Sequence, residues 1–280
     1  MSVSRGYSVA RGTMWSAIDK FGIVILQFVI NLVLARMLTP DDFGVIGMIL
    51  IFVAVSQTLV DGGFASALIQ KIDPTPTDYS TIFFWNIIFS TALYAIIFIA
   101  APIVAQFFGI DRLESLLRVL GIVVIINALT LVQRTTLRKK LDFRTIAIVD
   151  LLAYSISAAV AIYMAHCGCG AWSLVGMQLS IALIATLLFW ALSSWRPVLA
   201  FSMASFKSLF SYGGYLLIAN IMQDVCTHIQ GVVIGRRFSA ADTGLYAQAK
   251  KMDEVASMTL PAVMCQVLFP VYSSLQEDKE

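Results

Sequence analysis

Arg36-Met-Leu-Thr-Pro-Asp-Asp-Phe-Gly44 is the stretch of sequence that decides the fold. Thr39 can cap a new helix, Pro40 suits the first position of that helix, and the carboxylates of Asp41 and Asp42 suit its positive N-terminal end. Long apolar runs precede and follow the stretch. The pattern therefore predicts a tight turn between the two arms of a hairpin of membrane-crossing helices.

The same turn recurs 200 residues later in the chain. The matching positions are Arg36, Thr39, Asp42 and Gly44 in the first copy and Arg236, Ser239, Asp242 and Gly244 in the second. The segments before the two turns, residues 31–34 and 231–234, are also similar in character. We interpret the pair as an internal repeat; the alternative is a chance similarity between two tight helical turns.

The composition is that of a membrane protein. Hydrophobic residues make up 59% of the 280 residues and charged residues only 13%, with a mean hydropathy of +0.84, whereas soluble domains carry roughly 25% charged residues. Apolar runs of about 20 residues, long enough to cross a bilayer, recur along the chain. The net charge of +2 gives no indication of a nucleic-acid partner. The sequence predicts an all-α, polytopic transmembrane helical bundle.

We expect about eight spans, with the following approximate bounds: 13–38, 43–69, 79–108, 114–137, 145–166, 170–193, 208–235 and 241–274. Pro261 should kink the last one. Six spans separate the two copies of the turn, and six is an even number, so both copies insert in the same orientation. This is the parallel-repeat plan of some transporters. It predicts a six-helix lobe in residues 1–200 and the first two helices of a second lobe in residues 201–280.

Lys and Arg in the loops predict the orientation of the bundle. More of them fall on one side (Arg5, Arg11, Lys71, Arg138, Lys139, Lys140, Arg144, Arg196, Lys207 and Lys279) than on the other (Arg36, Arg112, Arg236 and Arg237). We therefore expect a cytoplasmic N-terminus, with residues 138–144 at the anionic inner leaflet. The short loops have no room for a soluble catalytic domain. We expect no catalytic residues, no metal and no cofactor; His166 near Cys167 and Cys169 is too small a set for metal binding.

Polar residues inside the spans are the candidate site, because buried polar groups in a membrane tend to face a water-filled cavity or a partner. Many fall on one face of their helix, at spacings of three, four or seven. The candidates for substrate binding in a cavity are Lys20, Gln27, Asn31, Asn86, Asn127, Arg134 and Asn220. The candidates for coupling to an ion are Asp61, Asp150, Asp224 and His228.

Each charged candidate also has a plainer interpretation. Lys20 could pair with Asp19 or extend to the cytoplasmic surface, and Arg134 could lie at that surface. Asp61, which precedes two glycines, could simply loosen a helix end. Asp224 and His228, one turn apart, could carry protons or could form hydrogen bonds between helices.

Four segments together resemble the polysaccharide and O-antigen flippases of the multidrug/oligosaccharidyl-lipid/polysaccharide exporter superfamily. They are residues 34–44, residues 60–71 (Val-Asp-Gly-Gly-Phe-Ala-Ser-Ala-Leu-Ile-Gln-Lys), residues 133–143 (Gln-Arg-Thr-Thr-Leu-Arg-Lys-Lys-Leu-Asp-Phe) and residues 234–246 (Ile-Gly-Arg-Arg-Phe-Ser-Ala-Ala-Asp-Thr-Gly-Leu-Tyr). The resemblance covers essentially the whole chain. Each segment is weakly specific by itself, and their order and spacing carry the resemblance.

The resemblance implies a transporter of the bacterial inner membrane. Such proteins move a polyprenyl-diphosphate-linked oligosaccharide across the membrane for the synthesis of O-antigen, capsule or exopolysaccharide. The partners implied are the lipid-linked oligosaccharide, membrane lipids and other polysaccharide-assembly proteins. The family usually has twelve to fourteen spans, so the resemblance also implies that this chain is truncated and that a second half is missing.

Three rival functions stay open. A drug/cation antiporter of the same fold would favour acidic cavity residues, and Asp61, Asp150 and Asp224 fit that interpretation. A truncated remnant would be inactive without a partner. A membrane-embedded sugar transferase or polysaccharide polymerase would need motifs in sizeable loops, which the short loops disfavour.

Overall fold

The computed structural model describes the backbone of residues 2–254 and, from residue 14 onwards, the side chains except those of residues 212 and 254. This part of the chain is all-α. Its helices are Ser2–Met37 (α1), Pro40–Asp61 (α2), Phe64–Gln70 (α3), Pro76–Phe108 (α4), Arg112–Ala128 (α5), Leu131–Lys139 (α6), Phe143–His166 (α7), Trp172–Leu192 (α8), Met203–Arg237 (α9) and Ala240–Glu254 (α10).

The predicted membrane fold is confirmed. In the described residues, six helical units are long and apolar enough to cross a membrane, and the bent pair α5–α6 makes up to seven. These units correspond to the first seven predicted spans. The eighth, 241–274, begins in α10 and continues outside the described residues, as does its predicted kink at Pro261.

The turn between α1 and α2 has the predicted chemistry. Thr39 is the N-cap of α2 and Pro40 its first residue. The Thr39 Oγ1 accepts a hydrogen bond from the Asp42 backbone N–H at 3.4 Å, and the Asp42 carboxylate accepts one from the Thr39 N–H at 3.1 Å. The turn before α10 repeats this reciprocal arrangement: the Asp242 carboxylate accepts from the Ser239 N–H, also at 3.1 Å.

Helices α2 and α10 cross at the glycines of the two turns. A Cβ atom on Gly44 would collide with the carbonyl oxygen of Ala240, and one on Gly244 would collide with the carbonyl oxygen of Pro40. Only glycine allows the backbones to approach this closely. Positions that are equivalent in the repeat therefore lie against each other. The division into a lobe 1–200 and a second lobe 201–280 stays a prediction.

The second predicted span is broken near its end. Gly62 and Gly63 adopt left-handed conformations, with φ of 54° and 72°, and separate α2 from α3. The Asp61 carboxylate accepts a hydrogen bond from the Ala65 N–H at 3.3 Å. At the other end of α3, the Lys139 Nζ donates to the carbonyl oxygen of Leu68 at 3.0 Å and to two more carbonyl oxygens of the same helix end.

The fourth predicted span, 114–137, is not one straight helix. It is broken at Leu129 and Thr130, and its two parts, α5 and α6, meet at 40°. The Trp190 Nε1 donates to the Leu129 carbonyl oxygen at 3.0 Å, and the Thr186 Oγ1 donates to the Ile126 carbonyl oxygen at 3.3 Å. Side chains of α8 thus bond two carbonyl groups at the break, that of Leu129 and that of Ile126, which also accepts from the Leu129 backbone N–H at 3.2 Å.

The packing places α2 at the centre of the bundle, in contact with α4, α5, α8, α9 and α10. Helix α7 packs between α1 and α8, and α4 packs on α5. Large apolar side chains such as Ile99 (72% exposed) and Leu187 (69% exposed) point outward. An apolar outer surface is what a bilayer requires, so the chain is a multi-pass membrane protein.

Candidate functional site

A first cavity inside the bundle has a volume of about 660 Å³. It is bounded by α2, α5, α6, α7 and α8, with single residues from α1, α3 and α9. Five of the candidate residues line it: Asp61, Asn127, Arg134, Asp150 and His228. The structure therefore brings candidates from five helices to one place.

Arg134 and Asp150 form an ion pair in this cavity. The Arg134 guanidinium donates to the Asp150 carboxylate at 2.5 Å, and the Asp150 side chain is only 8% exposed. The guanidinium also lies over the Phe189 ring, 4.8 Å from its centroid. The sequence suggested substrate binding for Arg134 and coupling for Asp150 without indicating that the two side chains touch. Arg134 lines the cavity with about one-third of its side chain exposed, and its position at the cytoplasmic surface stays a prediction.

Arg138 is a cavity residue that the sequence interpretation missed. The sequence predicts that it lies in the basic segment 138–144 at the inner leaflet, and in the structure it lines the cavity beside Arg134. Its charge interacts with those of Asp19, Asp61 and Asp150, but no ion pair within 4.0 Å is found for it among the described residues. The spacing of four residues from Arg134 places both side chains on one helical face, and this signal could have identified it.

The four acidic and histidine candidates divide into two groups. Asp61, Asp150 and His228 line the cavity. The Asp61 carboxylate also accepts the hydrogen bond from the Ala65 N–H at the start of α3. The Asp224 carboxylate accepts a hydrogen bond from the Thr58 Oγ1, which joins α9 to α2.

A second cavity of about 420 Å³ contains two further candidates, Gln27 and Asn31. The Gln27 Nε2 donates to the Tyr154 hydroxyl at 3.0 Å. Asn31 connects α1 to α10: its Nδ2 donates to the Gln248 Oε1, and its Oδ1 accepts from the Lys251 Nζ at 3.2 Å. The apolar part of the wall includes Leu34, Phe43 and Leu174.

Three substrate candidates line neither of these two cavities. Lys20 is exposed, and its charge interacts with that of Asp19. Asn220 is exposed on α9. Asn86 is completely buried in α4, and neither its Nδ2 nor its Oδ1 has a hydrogen-bond partner in the described part of the chain. Roles for these three in substrate binding stay predictions.

Metal binding has no support among the described residues, where no three His, Cys, Asp or Glu side chains come together. Cys167, Cys169 and Cys226 are exposed free thiols.

Comparison with known proteins connects this architecture to polysaccharide synthesis. The chain is 27% identical to the teichuronic acid biosynthesis protein TuaB of Bacillus subtilis (strain 168), over 95% of this chain and 55% of that protein. It is 26% identical to the succinoglycan biosynthesis transport protein ExoT of Rhizobium meliloti (strain 1021), over 98% of this chain and 55% of that protein. No solved structure gives a significant match.

A third relative is the lipopolysaccharide biosynthesis protein WzxC of Escherichia coli (strain K12), 26% identical over 96% of this chain and 55% of that protein. The chain thus spans about 55% of the length of these relatives. The family model described as polysaccharide biosynthesis protein matches residues 33–280. This range includes helices α2 to α10 and the residues that these helices contribute to the two cavities. The resemblance found in the sequence is confirmed, and the chain belongs to the polysaccharide biosynthesis protein family.

Proposed function

We propose that this chain takes part in moving a polyprenyl-diphosphate-linked oligosaccharide across the membrane, as a flippase. The observation that carries the proposal is the pair of arginines, Arg134 and Arg138, on one face of α6 in a cavity between membrane helices. A diphosphate is too polar to enter hydrocarbon without compensation. Guanidinium groups bind phosphate oxygens through strong, paired hydrogen bonds.

The two arginines have different parts in the proposed site. Asp150 already neutralises much of the Arg134 charge, so Arg134 is held in place and keeps only some of its donors for a ligand. Arg138 has no such close acidic partner among the described residues, and it provides the principal contact to the diphosphate. This role differs from the sequence prediction, in which the cationic candidates for substrate binding were Lys20 and Arg134.

The relatives support the same function. One is named a transport protein for succinoglycan biosynthesis, and two others are named for teichuronic acid and lipopolysaccharide biosynthesis. We extend transport of a lipid-linked glycan to this chain, with the bacterial inner membrane as its location and the N-terminus in the cytoplasm. The polypeptide has no chemical step of its own in this proposal. A change in the packing of the lobes moves the cavity opening from one side to the other.

The first test is a flipping assay with the purified 280-residue chain in liposomes. The probe is a polyprenyl-diphosphate-linked oligosaccharide with a nitrobenzoxadiazole label on its glycan. Dithionite added outside destroys only the label in the outer leaflet, so flipping makes the protected label accessible. We expect Arg138→Gln to slow this exchange about tenfold, because a hydrogen bond to a charged group contributes about 1.5–3 kcal/mol.

The matched control is Arg118→Gln. Arg118 lies on α5 and pairs with Glu114 at 2.7 Å, and it lines neither cavity. Its substitution should leave the exchange rate unchanged. Equal rates for the wild type and Arg138→Gln, or no exchange above that of empty liposomes, would contradict the proposal.

The antiporter alternative has one observation in its favour, since Asp61 and His228 line the same cavity. The same liposomes can be loaded with ethidium and placed in a sodium or proton gradient. Gradient-driven ethidium movement without exchange of the labelled lipid would replace the flippase proposal with the antiporter.

A further inference from the structure

The two cavities are stacked along the axis of the bundle. On α1, the first cavity is lined by Ile23 and the second by residues from Val24 to Leu34, nearer the turn to α2. On α2, the first is lined by residues 50–61 and the second by residues 43–50, again nearer that turn. The second cavity therefore lies beyond the first, towards the α1–α2 turn.

Along α7 and α8 the two cavities follow one another in the same way, and residues of these helices lie at the boundary between the cavities. The first cavity takes Asp150 and Tyr154 from α7, and the second takes Tyr154 alone. Both cavities share Leu50, Tyr154, Gln178 and Ile181. Two compartments thus meet at a wall made of two apolar side chains, a phenol and an amide.

The polar groups change in kind across this wall. The first side holds four ionic side chains, those of Arg134, Arg138, Asp61 and Asp150, among uncharged polar residues. The second side offers mainly amides and a phenol, with a single cation, Lys251, among the described residues that line it. Because the Tyr154 hydroxyl accepts the hydrogen bond from Gln27, its own proton stays available to a ligand.

Amide groups beside aromatic rings suit hydroxyl-rich, uncharged ligands. An amide group both donates and accepts hydrogen bonds, so it can bind a sugar hydroxyl as either donor or acceptor. The side chains of Gln27 and Gln178 are exposed to the cavity, and the ring of Phe28 lines it. The volume of about 420 Å³ falls within the range of roughly 300–1,000 Å³ that small-molecule sites occupy.

We infer that the second cavity is a glycan subsite, which holds the sugar residues next to the diphosphate while the diphosphate lies at Arg134 and Arg138. This inference rests on the proposed function. Gln27, Gln178 and Tyr154 bind the sugar hydroxyls, and Tyr154 marks the passage from phosphate to sugar. The second cavity recognises the hydroxyl groups of sugars. The bound glycan therefore lies nearer the α1–α2 turn than the diphosphate does.

The experiment compares two probes that differ only in the glycan. The full chain in detergent is titrated with geranyl diphosphate and with a geranyl-diphosphate-linked N-acetylglucosamine disaccharide, and microscale thermophoresis measures each Kd. The wild type should bind the glycosylated probe about tenfold more tightly, as expected for two or more added hydrogen bonds. The double variant Gln27→Leu, Gln178→Leu should lose that gain and keep its affinity for geranyl diphosphate.

Further variants separate a binding role from a folding defect. Tyr154→Phe keeps the ring, removes the hydroxyl and should lose part of the glycan gain. Gln106→Leu changes an exposed glutamine of α4 outside both cavities and should retain the whole gain. A folding defect would weaken the binding of both probes together.

The outcomes distinguish this inference from the proposed function. If the wild type binds neither probe, the diphosphate site and with it the proposed function fail. If the wild type binds geranyl diphosphate but gains nothing from the glycan, or if the double variant keeps the gain, the glycan subsite is wrong and the diphosphate site stands.

Discussion

Arg134 and Asp150 illustrate how a cavity in a membrane holds charges. The Asp150 side chain is almost buried, and the Arg134 side chain is about one-third exposed. A carboxylate in such surroundings needs a partner, because removal from water strongly disfavours an isolated charge. The pair therefore keeps the arginine in position while the neighbouring Arg138 remains available for a ligand.

The first prediction concerns this pair. Arg134→Gln and Asp150→Asn should each lower the free energy of unfolding by about 1–3 kcal/mol, because each leaves a polar partner unsatisfied. The double variant should lose less than the sum of the two, since it removes both charges. Equilibrium unfolding in mixed micelles with a denaturing detergent measures all four corners of the cycle. Additive losses would show that the two side chains do not depend on each other.

Among the helices, the break between α2 and α3 is a tightly constrained connection. Gly62 and Gly63 are both left-handed, and a Cβ atom on Gly63 would lie 2.7 Å from the Gly213 Cα of α9. Backbone therefore meets backbone at this point, and neither side can move aside as a side chain would. The break also positions Asp61 at the cavity.

A second prediction uses three glycines with similar backbone conformations. At Gly109, with φ of 69°, an added Cβ atom would have no atom of the described residues within 4 Å. Gly109→Ala should therefore lower the free energy of unfolding only by the strain of a left-handed alanine, about 1–2 kcal/mol. Gly63→Ala should cost clearly more, because it adds the collision with Gly213. Gly62→Ala should fall between them, since its Cβ meets the side-chain ring of Phe64 and not the backbone of another helix. Equal losses in unfolding free energy for Gly63→Ala and Gly109→Ala would contradict this order.

Local and distant interactions explain which elements the sequence could predict. The α1–α2 turn was predictable because Thr39, Pro40 and Asp42 act within one turn of helix. The bend at Leu129 was not, because it depends on Trp190, which is distant in sequence and lies on α8. The same limit applies to the site: helical faces identified Asp150 and Arg134, but only the bend directs α6 and its Arg138 into the cavity.

At the scale of the whole molecule, the α2–α10 crossing joins the part of the chain before residue 200 to the part after it. The glycines of the two turns make the contact, and at Gly44 and Gly244 the backbone of one helix lies directly against the backbone of the other. Asn31 adds hydrogen bonds from α1 to α10 nearby. Any change in the angle between these two parts of the chain would alter the α2–α10 contact.

The third prediction tests that crossing. Gly44→Ala and Gly244→Ala should each force α2 and α10 apart and should abolish lipid exchange in the liposome assay, while the helices themselves still form. Gly214→Ala is the control, because Gly214 lies on α9 outside both cavities and its Cβ would lie 3.9 Å from the nearest atom of Phe210, an ordinary contact. Unchanged exchange in Gly44→Ala, with an unchanged circular dichroism spectrum, would exclude a role for the close crossing.

The reciprocity of this crossing has a consequence for ancestry. Residue 44 meets residue 240, and residue 244 meets residue 40, which is the pattern of an isologous contact between two identical subunits. A single ancestral lobe that began with this hairpin and dimerised about a two-fold axis would have made the same contact from one gene. Duplication and fusion of that gene would then have preserved the interface inside one polypeptide, with both glycines retained while the residues around them diverged.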